Sequence, residues 1–137
     1  MAQKYIVGDV VMYDNKIMVV KEPRDGIHFD LSCPKEGLVY SFVGVENITP
    51  IPLTPEILEK NGWKRNGGQY FFTYKPYAGG KVELIGFFIE MFKDVHDMLK
   101  HRYFQITHEN KVICGCFYVH ELQHFLFGLK INREMEV

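Results

Sequence analysis

Residues 118–129 read YVHELQHFLFGL, and the fold turns on which side of this segment faces the rest of the chain. His120, Glu121 and His124 spell H-E-x-x-H, which on a helix places two imidazoles one turn apart over a zinc ion, with the glutamate as general base. The apolar residues argue for a different orientation. At about 100° per residue, Tyr118, Leu122, Phe125, Leu126 and Leu129 fall within an arc of roughly 100°, the width of a core-facing stripe. His120 and His124 then lie about 160–200° from the centre of that arc. A helix of about Val119 to Lys130, seated by its apolar stripe on an antiparallel sheet, therefore turns both imidazoles toward solvent or a partner. Phe127 is left as an exposed or partner-covered aromatic.

The zinc reading also lacks a third ligand. Downstream of His124 the acidic candidates are Glu134 and Glu136, on a tail expected to fray. Upstream, His96, His101 and His108 are available, but no spacing rule selects one of them. The expectation is no catalytic residue, no metal and no cofactor. A zinc-dependent hydrolase using His120 and His124, with Glu121 as base, stands as the alternative.

Working outward, KVICGCFYV precedes this helix as the second strand of a hairpin that turns at Glu109-Asn110. Residues two apart on a strand share a face, so Cys114 and Cys116 present both sulfurs on one side. C-x-C followed directly by H-x-x-x-H is not a zinc-finger spacing, and ordinary core thiols are expected. Three cysteines, two of them one residue apart, do not make a disulfide framework, which points to a reducing cytoplasm. Asp94, His96, Asp97 and His101 form a polar cluster read as a solvated face.

PIPLTPEILEKNGW (50–63) is the clearest boundary. Its prolines cannot donate to a strand ladder. Thr54 suits an N-cap, Pro55 the first helical position, and Gly62 the left-handed stop, which predicts a short helix over Pro55–Asn61. Before it, GDVVMYDNKIMVVK predicts a hairpin about Asp14-Asn15, with further short strands to residue 52. After it, RNGG and PYAGG flank the strand QYFFTYK. A strand to about Glu90 is followed by a short helix through His101.

The fold class expected is α+β. Residues 1–53 form a small SH3-like or curled antiparallel lobe, and residues 54–137 an α+β lobe of hairpins with the last helix packed on their sheet. A single compact domain sharing one core is the alternative division. The 137 residues, 47% of them hydrophobic with 11 Phe, 8 Tyr and 1 Trp, provide ample core material. Lys and Arg number 16 against 17 Asp and Glu, for a formal charge of −1. That balance gives no basic arm for nucleic acid, so a nucleic-acid-binding module ranks below the other readings. The opening MAQKYIVGDVVMYD is not a secretory signal, and no apolar run approaches the ~20 residues needed to span a bilayer.

ITPIPLTPEILEKNGWK and YVHELQHFLFGL, with the GDVVMYDNKIMVV start, resemble a group of small proteins of gut Bacteroidetes-type bacteria, often encoded near prophages or mobile elements. In that pattern the positions of Glu121 and His124 are often Gln and Asn, which implies that H-E-x-x-H is a coincidence here. The resemblance implies no known activity and carries over no functional residue. It implies a cytoplasmic accessory protein of a phage or integrated element. The function expected is non-enzymatic binding through protein–protein contact, with a protein or a second copy as partner and the binding residues unknown.

Overall fold

The computed structural model describes residues 5–76, 79–91, 101–131 and 134–137. They form an α+β fold with two antiparallel five-stranded sheets and little helix. The described residues divide into two compact units, one drawn from residues 5–52 with 118–135 and Val137, the other from 53–117 with Glu136. Among the described residues no helix is long and apolar enough to cross a membrane.

The first unit contains β1 (Val10–Tyr13), β2 (Lys16–Pro23), β3 (His28–Cys33), β4 (Leu38–Gly44) and β5 (Thr49–Pro50), ordered β4-β3-β2-β1-β5. The β1–β2 hairpin closes as expected at Asp14-Asn15, whose φ angles of 53° and 59° suit a turn that follows the strand twist. Tyr13 pairs with Lys16 across it. Met18, Val20, Phe29, Leu31 and Val43 meet Tyr5, Val11 and Ile48 in one core. Strand β4 carries a bulge, because Asp30 of β3 faces both Ser41 and Phe42. Phe42 has a φ of +57°, a conformation that costs a bulky residue energy. The Asp30 carboxylate holds it by accepting a hydrogen bond from the Phe42 amide at 3.0 Å. Arg24 donates to the same carboxylate through Nε at 3.0 Å and through Nη2. These bonds, with Arg24 first and the Phe42 amide second, hold the Asp30 carboxyl below its ordinary range.

The second unit begins with α1 (Pro55–Lys60), in the place the sequence predicts. Thr54 Oγ1 accepts from the Ile57 amide at 3.3 Å, and the Trp63 amide returns to the Leu58 carbonyl at 3.0 Å. Gly62, at φ 94°, allows that reversal. A meander follows: β6 (Lys64–Asn66), β7 (Gln69–Tyr74), β8 (Val82–Met91), β9 (His101–His108) and β10 (Lys111–Cys116), each strand paired with the next. Its core is aromatic. Phe104 is fully buried, with its ring 5.3 Å from Trp63, 5.9 Å from Tyr70 and 5.0 Å from Phe88. Gly86 faces that ring so closely that a Cβ there would fall 2.1 Å from Phe104 Cζ. The glycine that interrupts the aromatic run is therefore a packing requirement of the strand. The helix expected between Glu90 and His101 falls largely outside the described residues, and His101 itself opens β9.

The last helix, α2 (Val119–Gly128), requires a correction. It was expected on the later sheet, but it belongs to the first unit, where it lies against β1. The returning chain runs beside the departing one: Pro52 bridges Tyr118, and the Val119 amide donates to the Ile51 carbonyl at 2.8 Å. Helical periodicity identifies an apolar stripe but cannot say which sheet will receive it.

Candidate functional site

The most elaborate polar arrangement among the described residues joins α2 to the turn before β1. Gly8, at φ 94°, lets the chain double back so that the Asp9 amide donates to the Ile6 carbonyl at 3.1 Å. The Ile6 amide in turn donates to Asp9 Oδ2 at 2.9 Å. The Asp9 carboxylate is completely buried, and the same Oδ2 lies 2.7 Å from His124 Nε2. One residue earlier, Gln123 is also fully buried and works as a substitute strand. Its Oε1 accepts from the Val10 amide at 2.8 Å, and its Nε2 donates to the Gly8 carbonyl at 2.9 Å.

His120 is 6% exposed. Its ring meets Tyr5 edge-on at 5.0 Å, lies parallel to Tyr118 at 5.9 Å, and stands 5.5 Å from the His124 ring. Burial, and then the charge of Asp9, push the Tyr5 phenol up to about 12 from an ordinary 10.0, so it stays protonated at neutral pH. The outward orientation expected for both imidazoles is thus corrected for His120, which is buried, while His124 stays half-buried with Nε2 turned to Asp9. The buried side of α2 carries Val119, His120, Leu122, Gln123 and Leu126. On a wheel of 100° per residue, this arc is centred roughly 90° from the one that hydropathy predicts. The rotation follows from Gln123, whose paired amide makes a polar residue an interior one.

Glu121, the base of the zinc alternative, uses Oε1 to accept the Tyr118 amide at 3.0 Å, a carboxylate capping the helix start. His124 uses Nε2 on Asp9. Among the described residues, no three His, Cys, Asp or Glu side chains converge where they could hold a metal ion. His108 sits with Nδ1 3.3 Å from the Glu83 carbonyl. Asp94, His96 and Asp97 lie outside the described residues, as does the side chain of His101. The tail expected to fray is pinned instead, with Glu136 and Asn61 exchanging two hydrogen bonds of 2.9 and 2.7 Å. Of the QYFFTYK aromatics, Tyr70 has its ring buried against Phe104.

Sequence reasoning missed Asp9 and Tyr5. Asp9 and His124 are 115 positions apart, and the one local signal was Gly8 before Asp9, a pair suited to a tight turn. Chemically, the arrangement orients an imidazole and fixes α2 on β1. The raised Tyr5 phenol has a consequence in alkali. A phenol harder to ionise when folded contributes stability below pH 10 that is lost as pH rises from 10 toward 12. Tyr5→Phe is expected to remove that part of the alkaline destabilisation, measured by circular dichroism across this range. Identical alkaline transitions for the two proteins would refute it.

No family model matches the chain, and comparison with curated proteins and with solved structures gave no match. Fold and site describe an α+β protein of two antiparallel sheets in which buried Asp9 and Gln123, with half-buried His124, fasten the last helix.

Proposed function

We propose that this chain is a non-enzymatic binding protein that acts through protein–protein contact, with a second copy of itself as partner and strand β4 as the contact. The observation that carries this reading is an apolar sheet edge. Leu38 and Val39 are 51% and 52% exposed on β4, and Phe42 is 58% exposed at its bulge. An edge strand presents unpaired N–H and C=O groups, and a second copy in antiparallel alignment satisfies both sets at once. The opposite edge of the same sheet is β5, two residues long and containing Pro50, with Pro52 just beyond. That edge is blocked, whereas β4 carries no proline. Phe42, fixed in place by the Asp30 carboxylate, supplies the kind of rigid aromatic anchor that dominates interfaces.

We read the first sheet as SH3-like. The support is its order β4-β3-β2-β1-β5, with a single 3₁₀ turn at Val45–Asn47 before β5. The role as an accessory protein of a phage or mobile element rests on the PIPLT and YVHELQ resemblance. A cytoplasmic home rests on the few cysteines and on the absence of a disulfide among them.

Light scattering and sedimentation over about 1–300 µM test the contact, a range that brackets weak dimers. A concentration-dependent dimer is expected, weakened at least about tenfold by Val39→Lys, a loss of about 1.4 kcal/mol. Val112→Lys, on the edge strand of the other sheet, serves as control and leaves the dimer intact. A mass of one chain at every concentration would overturn the reading.

A further inference from the structure

The terminal strand β10 brings two sulfurs together. It is the outer strand of the second sheet, and its Cys114 and Cys116 lie opposite Ile106 and Phe104 of β9. Because they share a face, Cys114 Sγ and Cys116 Sγ stand 3.7 Å apart. Cys116 is fully buried and Cys114 half-buried, so solvent reaches one thiol of the pair. The residue between them points to the other face, where a Cβ would lie 1.6 Å from the Tyr103 hydroxyl. Tyr103 thus requires glycine at 115, and glycine is the residue whose backbone bends most readily. A second source of play is the register shift between Val112 and Cys114, directly before the pair.

We propose that Cys114 and Cys116 form a reversible disulfide, making β10 an oxidation site for low-molecular-weight disulfides such as oxidised glutathione. The Cys114 thiolate attacks one sulfur of the oxidant, forming a mixed disulfide and expelling one thiolate. The Cys116 thiol gives up its proton and attacks Cys114 Sγ, closing the intramolecular bond and expelling the second thiolate. In sum, two protein thiols lose two electrons and two protons, and the oxidant leaves as two thiols. Extended residues two apart have Cα atoms about 6.6–6.8 Å apart, the upper end of what a disulfide spans. Closure must therefore pucker the strand, which puts this bond among the readily reduced, regulatory kind rather than the permanent structural kind. The third thiol, Cys33, is buried in the other sheet and is a spectator.

Fully reduced protein incubated with excess oxidised glutathione, quenched in acid and alkylated under denaturing conditions, reads the outcome by intact mass and peptide mapping. The expected product carries one alkyl group, on Cys33, where the reduced control carries three, is about 2 Da lighter than a singly alkylated reduced chain, and has a Cys114–Cys116 link that dithiothreitol reverses. Cys116→Ser is expected to stop at a glutathione adduct on Cys114, and Cys114→Ser to remain unmodified. The wild-type measurement is decisive even where a variant folds poorly. Wild-type protein that accumulates the glutathione adduct without closing overturns the proposal. So does protein that keeps three alkylatable thiols, or that links Cys33 instead.

Discussion

Gln123→Met is expected to destabilise the first unit by about 2–4 kcal/mol, although methionine matches the glutamine in length and is the more apolar. The two hydrogen bonds of Gln123, to the Val10 amide and the Gly8 carbonyl, are its reason for being interior. A methionine leaves both backbone groups buried without those partners. An orphaned buried donor or acceptor costs about 1–3 kcal/mol, and the added apolar character returns only part of it. Because the chain forms two units, one global unfolding energy would blur the effect. Native-state hydrogen exchange separates them. The exchange of amides in β1 and β2 should accelerate about 30- to 1,000-fold while β8 and β9 are unchanged. If exchange in β1 and β2 were as slow as in the wild type, the glutamine would not be what seats α2.

Phe104→Ala should cost the second unit about 3–5 kcal/mol, the range for removing a buried aromatic that surrounding residues cannot replace. Its neighbours Trp63, Tyr70 and Phe88 come from three different strands or turns, so no single side chain can move in to fill the space. Trp63 is the one tryptophan of the chain and its ring touches the vacated volume, so its fluorescence reports the loss directly in a urea titration. Phe127→Ala is the matching control. Its side chain is exposed on α2, and the change should stay within about 0.5 kcal/mol. A urea midpoint for Phe104→Ala equal to that of the control would refute the account of the core.

Local chemistry made the turns and α1 legible. Asp14-Asn15 and Glu109-Asn110 tolerate the left-handed backbone that a two-residue hairpin demands, and the structure uses it at all four. Thr54 and Pro55 fix the start of α1 by contacts within one turn. The existence of α2 was legible for the same reason, but its facing was not. Hydropathy weights Gln123 and His120 as surface residues, and only partners more than a hundred positions away make them interior. Asp9 escaped notice on the same ground, since a carboxylate beside a glycine reads as a turn until His124 is brought to it. The H-E-x-x-H pattern alone decides little, because three residue types at fixed spacing say nothing of where each side chain spends its hydrogen bonds. Here Glu121 caps a helix and His124 meets a carboxylate.

The pairing of Pro52 with Tyr118, where the chain leaves the first sheet and comes back to it, sets an order of events during synthesis. The ribosome delivers the whole β6–β10 meander before it delivers the helix that finishes the earlier sheet. Strands β1–β5 therefore lack the α2 partners of Gly8, Asp9 and Val10 until every strand of the later sheet has been made. A chain ending at Phe117 would contain every strand of both sheets and lack only the helix that covers the first, which the next dozen residues supply.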